Sequence, residues 1–256
     1  MRKVILLWGG PQNQCRVFSP QYEAEEKITV NGNVDLYAVV FNRTTETDLT
    51  EDQLPQVDIY KYKQVIFVGD SRTEFMENVL TGMGESATKN VKFVCSAGKG
   101  LDWFTTTGWA QLYSIVQHDS NSILSKKTAV IFNFGVNDLS KSADYAEYYN
   151  WIAPQLKSKG CELYFMSVNP VNRLMLPNAG RADRSEAAVR SFNQYMKANL
   201  SSAYTYIDMY SYLKSTGYSF ASDHYGTGTV DDGLHYTTRT YKRIFAKCMD
   251  SLRVPA

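Results

Sequence analysis

Histidine and cysteine are scarce in this 256-residue chain, which holds three of the first and four of the second. The cysteines (Cys15, Cys95, Cys161 and Cys248) stand far apart, with no Cys-x-x-Cys pair and no histidine at metal-ligand spacing. A zinc site or a dithiol redox centre needs its ligands or thiols a few residues apart, so neither is indicated and buried free thiols are expected. Charge of one sign is lacking as well: 27 Lys and Arg face 26 Asp and Glu, a net charge of +1. No overall field draws such a chain to nucleic acid or to an anionic membrane surface. Nor does any apolar run approach the roughly 20 residues that a membrane-spanning helix requires. The opening Met1-Arg2-Lys3 is basic, but the apolar stretch behind it is shorter than the ~7–15 residues of a signal-peptide core. The expectation is either a cytoplasmic protein or an extracellular or cell-surface one whose export signal has gone. The expected partner is a small or neutral molecule, without nucleic acid and without membrane insertion.

What is present suits one α/β domain with a small appendage. Hydrophobic residues make up 44% of the chain, enough for a sizeable core, and 18 tyrosines offer aromatic faces for that core or for a ligand such as a sugar. Residues 1–55 read as a small β-rich unit with a linker. An Asn31-Gly32 turn separates two β-rich runs, and 44–55 is polar and acidic. From Tyr62 the pattern changes. Compact apolar runs at 65–68, 91–94, 129–134, 163–166 and 204–207 fit strands covered on both faces. Tyr145, Tyr149, Ile152 and Leu156 recur at helical spacing, as do Val189, Phe192 and Met196, and then Tyr241, Ile244, Phe245, Cys248 and Leu252. Strands alternating with helices predict a parallel sheet of about five strands between helix layers, a flavodoxin-like three-layer α/β sandwich over 56–256.

Short blocks at the ends of these runs carry the reactive side chains. Gly69-Asp70-Ser71-Arg72 follows the first strand and precedes a helix-compatible run. Ligands gather beyond the carboxyl ends of strands in an open parallel sheet, where a serine can act as nucleophile; a serine there is also an ordinary helix N-cap. Gly135-Val136-Asn137-Asp138 ends the third strand. The Asn137 amide can donate to a developing oxyanion, worth about 3–4 kcal/mol of barrier, whereas Asp138 suits a turn or the cap of the next helix. Asp232-Gly233-Leu234-His235 precedes the last helix. A serine hydroxyl is a weak nucleophile at neutral pH unless a base takes its proton, and an imidazole oriented by a carboxylate serves as that base. Only His235 has a carboxylate at useful spacing, Asp232, with Asp231 as the neighbouring alternative; His118 and His224 suit surface or loop-packing roles. The block from Cys95 to Trp103 contains Gly98 and Gly100, which let a backbone N–H approach a ligand or simply make a tight turn.

Taken in order, these blocks resemble the SGNH, or GDSL-type, hydrolases, whose pattern is a Gly-Asp-Ser block, a glycine block, Gly-x-Asn-Asp and a late Asp-x-x-His. The resemblance spans about residues 62–252. It implies Ser71 as nucleophile, His235 as base and Asp232 as the carboxylate that orients it. It also implies an oxyanion hole from the Ser71 and Gly100 backbone N–H groups and the Asn137 side chain, with no metal and no organic cofactor. Cys95 stands where the family often has Asn, which makes Gly98 an alternative to Gly100. Arg72 is expected to bind a substrate group or to neutralise a neighbouring carboxylate. Separately, 22–41, with Lys27-Ile28-Thr29-Val30 and Asp35-Leu36-Tyr37-Ala38, resembles the small β-grasp repeats of bacterial surface proteins of the InlB B-repeat type, departing from them at Val40. That resemblance implies an extracellular or wall-associated life.

The expected function is hydrolysis of a carboxylic ester through a Ser-His-Asp triad. Trp103 and Tyr236, with Phe104 and Trp109, are expected beside the site, and aromatic faces that stack on sugar rings favour an O-acetyl esterase acting on carbohydrate, on a small-molecule or polysaccharide ester. The same rings could wall an acyl-chain pocket, which keeps a lysophospholipase or a general short-chain esterase in view. A non-catalytic carbohydrate-binding module is the reading from another class.

Overall fold

The computed structural model describes three early strands by their backbone, and residues 48–58, 61–119, 127–172, 176, 183–221 and 232–252. The early strands β1 (Lys3–Leu7), β2 (Glu25–Val30) and β3 (Val34–Phe41) form an antiparallel sheet in the order β1-β3-β2. Val30 pairs with Val34, so the expected Asn31-Gly32 turn falls in a connection outside the described residues.

The second sheet is parallel throughout. β4 (Tyr62–Gly69), β5 (Val91–Cys95), β6 (Lys127–Asn133), β7 (Cys161–Met166) and β8 (Tyr204–Ile207) lie in the order β5-β4-β6-β7-β8. Each of the five apolar runs forms one of these strands. α1 (Ser71–Met83) and the short α2 (Glu85–Thr88) join β4 to β5. α3 (Leu101–Trp103), one π turn and α4 (Trp109–Asp119) precede β6, and α5 (Ser142–Ser158) precedes β7. α6 (Glu186–Asn199) leads to β8, followed by α7 (Met209–Thr216) and α8 (Thr238–Ser251).

Side chains alternate across a strand, so each strand feeds two cores. Ile66, Val68, Val130 and Phe132 pack with Leu112 of α4, Tyr149 and Ile152 of α5, and Phe192 and Met196 of α6. Val65, Phe67, Ala129 and Ile131 pack on the other face with Met76 and Leu80 of α1, Leu213 of α7, and Ile244 and Phe245 of α8. Burying one such side chain is worth about 1.5–3 kcal/mol, which is why near-continuous apolar strands settle between two helix layers. The chain runs outward from β4 in both directions. A crevice therefore opens at the carboxyl ends of β4 and β6, the place where ligands bind in sheets of this order.

The stretch expected to be a linker packs against the α1/α8 core over part of its described length. It carries apolar residues among its acids: Leu54 and Val57 are buried in the α1/α8 core, with Leu49 packed against it. Lys242 of α8 donates to the Asp48 carboxylate at 2.9 Å and to the Leu49 carbonyl at 2.7 Å. Cys161 and Cys248 are buried, Cys95 is only half-buried, and Cys15 lies outside the described residues. Among the described residues no helix is long and apolar enough to cross a membrane.

Candidate active site

β4 ends at Gly69, and Asp70 takes the N-cap of α1, its side chain accepting from the Arg72 N–H at 3.0 Å. The cap is thus Asp70 and not Ser71, which leaves the Ser71 hydroxyl for other partners. Ser71 Oγ lies 2.8 Å from His235 Nε2, and His235 Nδ1 lies 2.6 Å from Asp232 Oδ2. The second Asp232 oxygen accepts the Leu234 and His235 backbone N–H groups at 2.8 and 2.9 Å. Burial works to raise the Asp232 carboxyl, but the hydrogen bond and charge of His235, with those two N–H groups, outweigh it and hold the group well below the usual carboxylate range. An ionised carboxylate can only accept. Nδ1 therefore carries the imidazole proton, and Nε2 is left to accept from Ser71 Oγ–H. Phe75, one helical turn beyond Ser71, meets the imidazole edge-on with ring centroids 4.7 Å apart. His118 belongs to α4, its side chain outside the described residues, as are His224 and Asp231.

Two residues expected to touch substrate are spent inside the protein. Arg72 is 3% exposed, and its guanidinium donates to three backbone carbonyls: Leu234 at 3.0 Å, Asn169 at 2.9 Å and Pro170 at 2.9 Å. A side chain with that many acceptors ties α1 and the loop after β7 to the His235 loop and has no reach into the crevice. Tyr236 is 2% exposed; its hydroxyl donates to the Pro170 carbonyl and its ring stacks on Phe220 at 5.1 Å. The Asn172 N–H donates to the Gly233 carbonyl at 2.8 Å, so the loops 169–172 and 232–236 are pinned together at several points.

Across the crevice, Gly98 and Gly100 are glycines for different reasons. Gly98 has φ +69°, a left-handed conformation that L side chains rarely adopt, with open space where a Cβ would be. A Cβ on Gly100 would lie 2.3 Å from Asp138 Oδ2. Asp138 does not cap the helix that follows it. Its carboxylate reaches back to accept the Leu101 N–H at 2.9 Å and the Tyr145 hydroxyl at 2.7 Å, pulling the Gly100 turn against the end of β6. The Asn137 side-chain amide donates to the Lys99 carbonyl at 2.8 Å, and Arg184 donates to its Oδ1 at 3.2 Å. As the first residue of α1 and the N-cap of α3, Ser71 and Gly100 carry N–H groups that no helical carbonyl takes.

The family model of the GDSL-like lipase/acylhydrolases matches residues 65–248. The chain belongs to this family. It is a serine ester hydrolase, and its five-stranded parallel sheet is the fold of that group. Among solved structures it is similar to a protein of Slackia heliotrinireducens assigned to the SGNH hydrolases, at 13% identity and a TM-score of 0.50, over 75% of this chain and 100% of that one. An acetyl xylan esterase, AlAXEase, aligns at 11% identity and 0.49, over 74% of this chain and 100% of its own. The catalytic domain of a Streptococcus pneumoniae peptidoglycan O-acetyltransferase aligns at 16% and 0.43, over 75% and 92%. None of the curated proteins matches the chain.

The aromatic residues expected around this hydrolase's site divide in two. Phe104 is wholly buried, its ring against Phe132, Phe134 and Tyr149, and Trp109 pairs with Tyr113. Trp103 is half-buried, tilted against Phe134 at 6.1 Å. The segment whose Lys99 carbonyl accepts from Asn137 is polar instead: Lys99 is exposed, and Asp102, 86% exposed, pairs with Lys141 at 2.9 Å. Arg184 and Phe75 had no part in the sequence expectation. Phe75 could have been found from its i+4 spacing to Ser71, whereas nothing local marks Arg184. Among the described residues no cluster of His, Cys, Asp and Glu could hold a metal ion.

Proposed function

We propose that the hydrolase uses Ser71, His235 and Asp232 as its catalytic triad, and that it removes acetyl groups from carbohydrate. The unbroken hydrogen-bonded chain from Ser71 Oγ through His235 to Asp232 carries the first part of this reading. Ser71 Oγ attacks the ester carbonyl while His235 Nε2 takes its proton. The tetrahedral oxyanion is met by the Ser71 and Gly100 N–H groups and the Asn137 amide, donors fixed before charge develops. His235 passes the proton to the leaving alcohol oxygen, releasing the alcohol and leaving an acyl-Ser71 ester. Water, deprotonated by His235, then attacks that ester, and the proton returns to Ser71 as the acid departs.

The polar segment 99–102, whose Lys99 carbonyl accepts from Asn137, supports a hydroxylated substrate. The exposed Lys99 and the Asp102–Lys141 pair offer hydrogen-bonding groups suited to a sugar and unsuited to an acyl chain, and Trp103 and Trp109 are the expected aromatics that are only half-buried. Action on a polysaccharide fits an extracellular or cell-surface setting, which the resemblance of 22–41 to surface repeats also favours. The test begins with p-nitrophenyl acetate and Ser71→Ala: equal rates for wild type and variant would refute the triad. Acetylated xylan, acetylated mannan, peptidoglycan and lysophospholipid then separate the substrates, and a preference for the lipid would replace the sugar reading with a lysophospholipase.

A further inference from the structure

Asn137 is held from two sides by groups that each tolerate one orientation of its amide. The Lys99 carbonyl can only accept, and it faces Nδ2 at 2.8 Å. The Arg184 guanidinium can only donate, and its Nη2 faces Oδ1 at 3.2 Å. Arg184 is itself fixed one residue earlier in the chain it contacts, where its Nε donates to the Val136 carbonyl at 3.1 Å. Only the planar fork of an arginine spans both acceptors at once. Its ionic neighbour is Asp183, 3.4 Å away and 74% exposed, a pair that solvent screens. The guanidinium is thereby turned to the Asn137 amide, and its charge also reaches the buried Asp70 carboxyl.

We propose that Arg184 is the positioning residue of the oxyanion hole, a role that rests on the reading of Asn137 given above. An amide free to rotate by half a turn would present Oδ1, with its lone pairs, to the developing oxyanion and repel it. With Lys99 and Arg184 in place the amide cannot turn. One Nδ2 hydrogen is held by Lys99, and the second is available for the reacting carbonyl oxygen. Donation into Oδ1 also draws electron density from the amide nitrogen, making its remaining N–H a stronger donor. Arg184 thus acts through Asn137 and does not touch the substrate.

The test is a double-mutant cycle on p-nitrophenyl acetate hydrolysis with Arg184→Met, Asn137→Ala and the pair, alongside Arg184→Lys. Asn137→Ala should lower kcat roughly 100-fold or more, the cost of losing one oxyanion donor. Arg184→Met should lower kcat about 10- to 30-fold with KM within about twofold, and less than about twofold once Asn137 is already Ala, because nothing is left to position. Arg184→Lys, keeping the charge without the fork, should fall between wild type and Met, and it carries the same comparison where the Met variant fails to fold. An equal loss in both backgrounds, or no loss in the wild-type background, would overturn the role of Arg184 while leaving Asn137 standing. Full activity of Asn137→Ala would instead overturn the oxyanion reading beneath it.

Discussion

His235 Nδ1 is bound to only one of the two Asp232 oxygens, at 2.6 Å, while the other holds the loop by accepting the Leu234 and His235 N–H groups. Orienting the base and shaping its loop are thereby divided between two atoms, and a substitution can separate them. Asp232→Asn keeps an acceptor for the loop but puts an NH2 group opposite Nδ1. The imidazole must then accept there, Nε2 takes the proton, and Ser71 loses its base. We expect kcat on p-nitrophenyl acetate to fall about 10³- to 10⁴-fold, with the melting temperature within a few degrees of wild type. Asp232→Ala, which also frees two N–H groups, should lower the melting temperature as well. Comparable activity of Asp232→Asn and wild type would exclude Asp232 from the triad.

The buried Arg72 guanidinium serves the carbonyls of Leu234, Asn169 and Pro170. Arg72→Met leaves all three without that donor, at a cost of about 1–3 kcal/mol for each that water cannot reach. For a domain of this size the melting temperature should drop by roughly 10 °C or more. Because Leu234 adjoins His235, kcat should fall about tenfold as the base loop loosens. Thermal melts and steady-state kinetics check both. A raised KM at unchanged melting temperature would instead return Arg72 to the substrate-binding role that its place after the nucleophile suggested.

Arg72 and Tyr236 show where reading along the chain stops. The strands were legible because an apolar run covered on both faces needs no knowledge of its neighbours. The grouping of Ser71, His235 and Asp232 was legible because Ser71 adjoins a strand end and Asp232 lies in the same short loop as His235, so each block could be judged from contiguous residues. Arg72 finds its carbonyl acceptors 97 to 162 residues away, and nothing near it signals that they exist. An arginine beside a nucleophile then looks like a ligand-binding group although it is a buried strut. Arg184 escaped notice for the same reason, since its contact with Asn137 spans 47 residues. In the stretch read as a linker the acids dominated the reading, although Leu49 and Leu54 lie within it and pack in the α1/α8 core.

Gly98 and Gly100 should respond differently to alanine. At Gly100 the new methyl group would meet Asp138 Oδ2 at 2.3 Å and displace the carboxylate that holds the Leu101 N–H. A shift of about 1 Å in an oxyanion donor is enough to cost about 100-fold, so Gly100→Ala should lower kcat by about 10- to 100-fold. At Gly98 the methyl group meets open space and the penalty is the positive φ alone, about 1–2 kcal/mol of stability. Gly98→Ala should therefore lower the melting temperature more than the rate. The reverse pattern in kinetics and melts would make Gly98 the oxyanion donor.

Asp70 makes stability depend on pH in a direction opposite to that of a paired surface carboxylate. Burial pushes its carboxyl up to about 7, and the charge and N–H of Arg72 only partly pull it back. Below the ordinary value of 3.8 the group is protonated whether the chain is folded or not, and it does not bias folding. As pH rises from there towards 7, the unfolded chain gives up this proton while the folded one retains it, so folding becomes steadily less favourable. Above 7 both forms are ionised, and the native state bears the full cost of a buried charge. Asp70→Asn removes that charge and keeps an oxygen to accept the Arg72 N–H, since Asn is as good an N-cap as Asp. The variant should melt with wild type near pH 4 and several degrees above it near pH 8, a gain of a few kcal/mol at most. Melting curves across that range decide the matter: a constant difference at every pH would mean that Asp70 is not buried as a costly charge.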